Sequence, residues 1–327
     1  MLDGIRGVLR TVWRQSLSSV YALLPPTDAA EQTKASWARP IDSLAAVPAA
    51  YQEFFGRLLA GGRAFPYTVL TPSYQGFLHK ATEKLVCDLD DEICILHSHS
   101  ATFEAHRYPV EGISYVEVRT FLLDSSIKIS GMTQHGVAAS TSFKFNAVTD
   151  YLFTPILRKI RLAAHGPRDA SLGTGSEKFD DWVVLNYKFM NFAKRSLLAG
   201  DRVIQAILQP EIRTRALTLL GKTLYGLVSP THMCILTDRE LITVREEERR
   251  SSNDKYGGIW DYIPLAKIVE LTLSHRDGDL FELSIRLPDV VLKSLYTASA
   301  GRELNQLLDR FGELTSSARL MPAPASR

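Results

Sequence analysis

The sequence predicts an α+β fold, mainly antiparallel β, in which one unit of helix, strands and helix is written twice. Three observations carry this. Leu58-Leu59-Ala60-Gly61-Gly62-Arg63 returns as Leu197-Leu198-Ala199-Gly200-Asp201-Arg202, and Val69-Leu70-Thr71-Pro72 returns as Ile207-Leu208-Gln209-Pro210. Further on and in the same order, Leu89-Asp90-Asp91-Glu92-Ile93 matches Thr237-Asp238-Arg239-Glu240-Leu241, and Tyr108-Pro109-Val110-Glu111-Gly112-Ile113 matches Ile263-Pro264-Leu265-Ala266-Lys267-Ile268. Within each copy apolar and polar residues alternate as in half-buried strands, and each copy ends on one apolar stripe at helical spacing. A repeat this long argues for two tandem domains, since solenoid units run about 20 to 50 residues.

Taken in order, the chain opens with a predicted helix over residues 5 to 24, where Ile5, Leu9, Val12, Trp13, Leu17, Val20 and Leu24 recur at three- and four-residue steps and Arg6, Arg10 and Arg14 line another stripe. Pro25-Pro26 ends it, and the small and polar residues 27 to 45 read as a linker. A helix from about Ala49 to Ala60 stops at Gly61-Gly62, because glycine takes the left-handed C-terminal conformation cheaply. Its counterpart, about Val183 to Ala199, stops at Gly200. In the second copy Val269, Leu271 and Leu273 alternate with polar residues, as do Phe281, Leu283, Ile285 and Leu287 after Asp277-Gly278, which gives a hairpin. Val116 and Val118, then Ile127 and Ile129, repeat the plan in the first copy. Polar Thr237-Asp238-Arg239-Glu240 predicts a tight turn between two short strands, and Ser142 to Asn146 and Val290 to Tyr296 each close a set. The closing helices carry Val148, Leu152, Ile156 and Ile160, with a kink expected at Pro155, and Leu304, Leu307, Leu308, Phe311 and Leu314. The expected division is a helix and linker over 1–45, a domain over 46–164, a flexible connector over 165–181, a second domain over 182–316 and a tail over 317–327.

Short antiparallel strands closed by one C-terminal amphipathic helix resemble the pleckstrin homology (PH) superfold. Leu197 to Arg202, Leu236-Thr237-Asp238-Arg239-Glu240-Leu241 and Tyr256-Gly257-Gly258-Ile259-Trp260-Asp261-Tyr262-Ile263-Pro264-Leu265 are similar to the bacterial PH-like domain families. The likeness spans about 195–314 closely and 56–163 loosely. It implies two tandem, partly open barrels, each capped by its terminal helix, that serve as scaffolds for binding proteins, peptides or lipids. Eukaryotic phosphoinositide-binding members carry a basic cluster by the loop between their first two strands. The turns equated with it here, Asp90-Asp91-Glu92 and Asp238-Arg239-Glu240, are largely acidic, which argues against phosphate recognition there.

Composition sets bounds on function. Lys+Arg number 38 against 36 Asp+Glu, too even a balance for a chain whose main partner is a nucleic acid backbone. Cys87, Cys94 and Cys234 lie in apolar runs with no metal-ligand spacing and read as buried thiols in a reducing compartment. Arginines interrupt the apolar N-terminus, so it lacks a secretory signal's apolar core, and no run approaches the length of a membrane span. The expected location is the cytoplasm, with attachment at the inner membrane surface as a variant.

Four groups of residues are candidates for function. His97, His99 and His106, with Glu104, are the nearest approach to a metal site, although a solvated loop is the simpler reading without a Cys/His signature. Tyr256, Trp260 and Tyr262, with Arg249 and Arg250 in the preceding charged run, form a candidate partner-binding loop, while suiting a barrel rim equally. Arg6, Arg10, Trp13 and Arg14 are the candidate lipid contacts of the first helix. No nucleophile elbow or phosphate loop is present: Leu172-Gly173-Thr174-Gly175-Ser176 follows no strand and lacks the closing Lys-Ser/Thr pair. The expectation is a non-catalytic, cofactor-free adaptor that binds a protein or peptide, the alternative being peripheral attachment to anionic lipid.

Overall fold

The computed structural model describes residues 36–75, 80–99, 102–163, 175–219, 222–247, 257–276 and 279–320. Contacts divide the chain into two compact units, Met1–Trp37 and Ala38–Arg327, and every described helix and strand belongs to the second. The helix predicted over 5–24, with its candidate lipid contacts, lies outside the described residues.

The first half runs β1 (Arg39–Ile41), α1 (Ala49–Leu59), β2 (Tyr67–Thr71), β3 (Tyr74–Gln75), β4 (Lys80–Ala81), β5 (Lys84–Asp88), β6 (Glu92–His99), β7 (Thr102–Pro109), β8 (Ile113–Phe121), β9 (Asp124–Met132), β10 (Ala138–Asn146) and α2 (Thr154–Ala163). The second runs α3 (Trp182–Ser196), β11 (Val203–Gln209), β12 (Ile212–Leu219), β13 (Lys222–Ser229), β14 (His232–Thr237), β15 (Glu240–Arg245), β16 (Gly257–Pro264), β17 (Glu270–Arg276), β18 (Leu280–Arg286), β19 (Val291–Thr297) and α4 (Gly301–Leu320). The repeat in the sequence is thus a repeat in topology. The neighbours β2-β5-β6-β7 recur as β11-β14-β15-β16, and β8-β9-β10 recur as β17-β18-β19. Gly62 and Gly200 both have positive φ, 71° and 81°, where each leading helix turns into its first strand.

The fold is α+β with mostly antiparallel strands in several sheets, and among the described residues no sheet closes into a barrel. β16 of the second half pairs antiparallel with β8 of the first, Gly257 opposite Phe121 through Tyr262 opposite Val116, which fuses strands of both halves into one seven-stranded sheet. The halves are therefore joined by backbone hydrogen bonds as well as by the connector.

Each half buries two cores, one on either face of its first sheet. In the first half Ile93 and Ile95 face the interior with Val116, Ile129, Phe153 and Ile160, while Cys94 and Leu96 face α1 with Tyr51 and Phe55. In the second, Cys234, Leu236 and Leu241 face the interior with Leu283, Leu304 and Leu307, while Met233, Ile235 and Ile242 face α3 with Phe189 and Ala193. Strands covered on both faces read as unbroken apolar runs. The alternation is clearest in β17 and β18, which are covered on one face.

Several local expectations are corrected. Residues 27–45 are not all linker, because β1 adds to β2 with Arg39 opposite Leu70 and Ile41 buried. Pro155 does not kink a helix: it sits in the first turn of α2, where its missing N–H costs nothing, and the break lies at Thr149 (φ −109°, ψ 17°) in the preceding 3-10 turns, leaving Val148 half exposed. The acidic turns at Asp90 and Asp238 join β5 to β6 and β14 to β15, the second and third strands of each repeated set of four. The first and second strands of each set, β2 with β5 and β11 with β14, are instead linked through the hairpins β3–β4 and β12–β13.

Candidate binding cleft

The interior of the second half opens on one side into a cleft of about 530 Å³, lined by the ends of β13 to β16 and by β18 and β19. Its position follows from register. His232, Thr243 and Asp261 share the face of Cys234, Leu241 and Ile263, which point into the core, but they lie outside the cluster that α4 covers, and there polar side chains replace apolar ones.

His232 is 5% exposed and packs edge-on against Tyr296, ring centroids 4.8 Å apart. Its Nδ1 lies 2.9 Å from the Pro230 carbonyl oxygen, which can only accept, so Nδ1 carries the proton and Nε2 is the bare acceptor. That Nε2 is buried without a hydrogen-bond partner among the described residues. Burial lowers the ring's pKa, with Arg245 adding to the effect, and the imidazole is neutral. Ser229 Oγ lies 3.4 Å from the same Nδ1, but a protonated nitrogen cannot take a proton, so the two do not form an activated nucleophile.

Beneath the cleft, Asp261 is 1% exposed. Its Oδ2 accepts from Thr243 Oγ1 at 2.7 Å and from Arg245 Nη1, and its Oδ1 has no partner among the described residues. Burial pushes this carboxyl above its ordinary pKa, against the pull of Arg245. Arg245 also donates from Nη2 to Glu117 of the first half at 2.9 Å, and Glu117 lies 3.5 Å from Lys128. Burial works against the charge on Arg245, but Asp261 and Glu117 more than offset it and raise the guanidinium pKa. At the cleft wall Glu282 accepts from Lys293 at 2.9 Å and from Arg276 at 2.6 Å, which hold its carboxyl below the ordinary range.

The first half places a different polar set at the equivalent positions. Lys84 stands opposite His97 as His232 stands opposite Arg245, and His106 stands opposite Ile95 as Asp261 stands opposite Thr243. The segment read as a solvated loop is strand, and the ladder of β6 with β7 puts His97, Glu104 and His106 on one face. His106 Nε2 meets Glu104 at 3.2 Å, and His97 Nε2 meets Thr82 Oγ1. Among the described residues no three His, Cys, Asp or Glu groups converge to hold a metal ion. The side chain of His99 lies outside the described residues.

The aromatic loop is placed otherwise than its sequence suggests. Trp260 and Tyr262 belong to β16, inside the seven-stranded sheet. Trp260 is 7% exposed and packs edge-on against Phe192 of α3 at 4.7 Å, which makes it a core residue and not a surface anchor. Tyr262 lies under Arg161, 3.9 Å from guanidinium carbon to ring centroid. Arg249, Arg250 and Tyr256 lie outside the described residues. His232, Arg245, Asp261 and Glu282 had no motif to flag them. The one available signal was Asp261 itself, a carboxylate in phase with inward-facing Ile259 and Ile263. No protein-family model matches the chain, and no curated protein matches it either.

Proposed function

We propose that this chain is a non-catalytic binding module, built of two PH-like rolls, that takes a peptide segment of a partner protein in the cleft of the second roll. The observation that carries this is a cleft whose volume falls within the usual range for ligand sites, about 300 to 1,000 Å³, lined by His232, whose buried Nε2 has no hydrogen-bond partner among the described residues. A buried acceptor left unmade costs about 1–3 kcal/mol, which a ligand N–H or O–H would recover. Glu246, Glu247 and Glu282 on the same walls are paired with Lys188, Arg119, Lys293 and Arg276, and Arg245 and Lys293 line the cleft beside them, so the partner segment offers a hydrogen-bond donor with no need of a charge of its own. Read as PH-like, the order of strands and terminal helix that the two halves share supports a scaffold role by analogy of fold.

The test is a peptide array probed with the full chain and with a His232→Phe variant. Binding to a peptide that the variant loses at least tenfold supports the reading. Binding that the variant leaves unchanged, or none, rejects it. The lipid reading rests on residues 5–24, and flotation with anionic vesicles of the full chain and of a form lacking the first 40 residues tests it separately. Among the described residues no helix is long and apolar enough to cross a membrane.

A further inference from the structure

The joint between the halves has a counterpart that no strand completes among the described residues, although Gln134 N–H already takes the Arg107 carbonyl at one end of it. Aligning Pro109 with Pro264 and Ile113 with Ile268 makes β7 the equivalent of β16, and β17 the equivalent of β8. β16 and β8 pair with each other. β7 and β17 are each the last strand of their own sheet, and among the described residues no strand pairs with the outer edge of either. We propose that β7 of one copy of this chain pairs antiparallel with β17 of a second copy, reproducing the β8–β16 joint between molecules and linking chains head to tail.

The register carries over from the joint already made. Tyr262 opposite Val116 becomes Arg107 opposite Leu271, Trp260 opposite Val118 becomes Ala105 opposite Leu273, and Ile259 opposite Arg119 becomes Glu104 opposite Ser274. No like charges meet directly in this register, and Glu104 lies diagonal to Arg276. The backbone of β7 has the required phase. The Arg107 carbonyl accepts from Gln134 N–H at 2.9 Å on the side away from β6, so Ala105 and Phe103, at steps of two, also turn their N–H and C=O outward. Exposed edges are usually blunted, and other end strands here are: β1 carries Pro40 and β11 a bulge between Val203 and Gln205. Phe103 to Arg107 and β17 carry no proline, lysine or bulge. Because the two surfaces differ, pairing is heterologous and builds rings or open chains.

Sedimentation velocity of the full chain over a range of concentrations tests this. Species larger than a monomer, growing with concentration, are expected. Ala105→Pro removes an outward N–H from β7 and Leu273→Pro the facing one from β17, so each variant alone sediments as a monomer. Mixed in equal amounts they form a dimer, since each retains the edge the other has lost. Circular dichroism and unfolding midpoints confirm that both fold. Should a proline variant fail to fold, Glu104→Cys mixed with Ser274→Cys reads the register as a disulfide-linked dimer, the native thiols being buried. A monomer at every concentration, variants that still assemble, a mixture that does not pair, or an assembly that forms no cross-link overturns the proposal. Association that appears only once residues 1–35 are removed also overturns it, and assigns the edge to that segment.

Discussion

Arg161 of the first half donates from Nη2 to Glu240 Oε2 of the second at 2.7 Å, with the two residues 7% and 1% exposed. The same guanidinium donates to the Ser196 carbonyl at 2.8 Å, lies 4.0 Å from Asp201 and covers the Tyr262 ring. Burial opposes its charge, but Glu240, Tyr262 and Asp201 outweigh that and raise its pKa. Arg161→Ala would strand the Glu240 carboxylate in the interior, at a cost of about 3–5 kcal/mol in urea unfolding. Arg161→Met with Glu240→Leu should recover most of that, because the desolvation of both charges disappears together.

The β8–β16 joint depends on a residue without a side chain. A Cβ on Gly257 would stand 2.1 Å from the Thr120 carbonyl oxygen and 2.4 Å from the Phe121 ring, and backbone cannot move aside as a side-chain tip can. Gly257→Ala should therefore force that end of the ladder apart. The unsubstituted chain is expected to unfold in one calorimetric transition over residues 38–327, and the variant in two, as the halves lose their shared sheet. An unchanged single transition at an unchanged temperature would show that the joint does not couple them.

Trp260 separates a packing role from a recognition role. Buried against Phe192 and Met190, it should cost about 3–5 kcal/mol when replaced by alanine, with Trp260→Phe losing far less. A surface anchor would instead leave the unfolding midpoint in place.

How much of this was legible in the sequence depends on the range of the interaction. β17 and β18 announced themselves because one covered face gives period-two alternation, and the leading helices because Gly62 and Gly200 take positive φ at their ends. The hairpin β12–β13 was missed, although Ile212 to Ser229 is strand for most of its length. The joint was invisible for a deeper reason. Val116, Val118 and Trp260 look like any strand residues, and no local pattern states which edges of two similar units will meet. The cleft was hidden likewise, since His232, Arg245 and Asp261 lie on three strands and converge only through register.

The thiols give a direct check on the double covering of the first sheets. Cys87, Cys94 and Cys234 are free and buried, and burial pushes Cys87 and Cys234 up to about 12 and Cys94 higher still. Thiolate is the reactive form, so the native chain should not react with a disulfide reagent at pH 8, while all three thiols should titrate in denaturant. Rapid labelling of any of them in the native state would contradict the packing of α1 or α4 over these strands.

His232 should make stability fall on mild acidification. Its folded pKa is lowered by burial from an ordinary value near 6.5, so below that pH the unfolded chain takes up a proton that the folded chain refuses. The unfolded state then binds more protons, and stability decreases as pH drops, by up to about 1.4 kcal/mol per unit, until the folded pKa is reached. Nearby Asp261, whose folded pKa is raised, contributes in the opposite sense, so the difference between two proteins is the quantity to measure. His232→Asn keeps a donor for the Pro230 carbonyl and removes the titration. Urea unfolding at pH 7.5 and 5.5 should show the variant losing about 1 kcal/mol less than the unsubstituted chain over that interval. Equal losses would mean that the imidazole can be protonated in place, and that Nε2 finds a partner when charged.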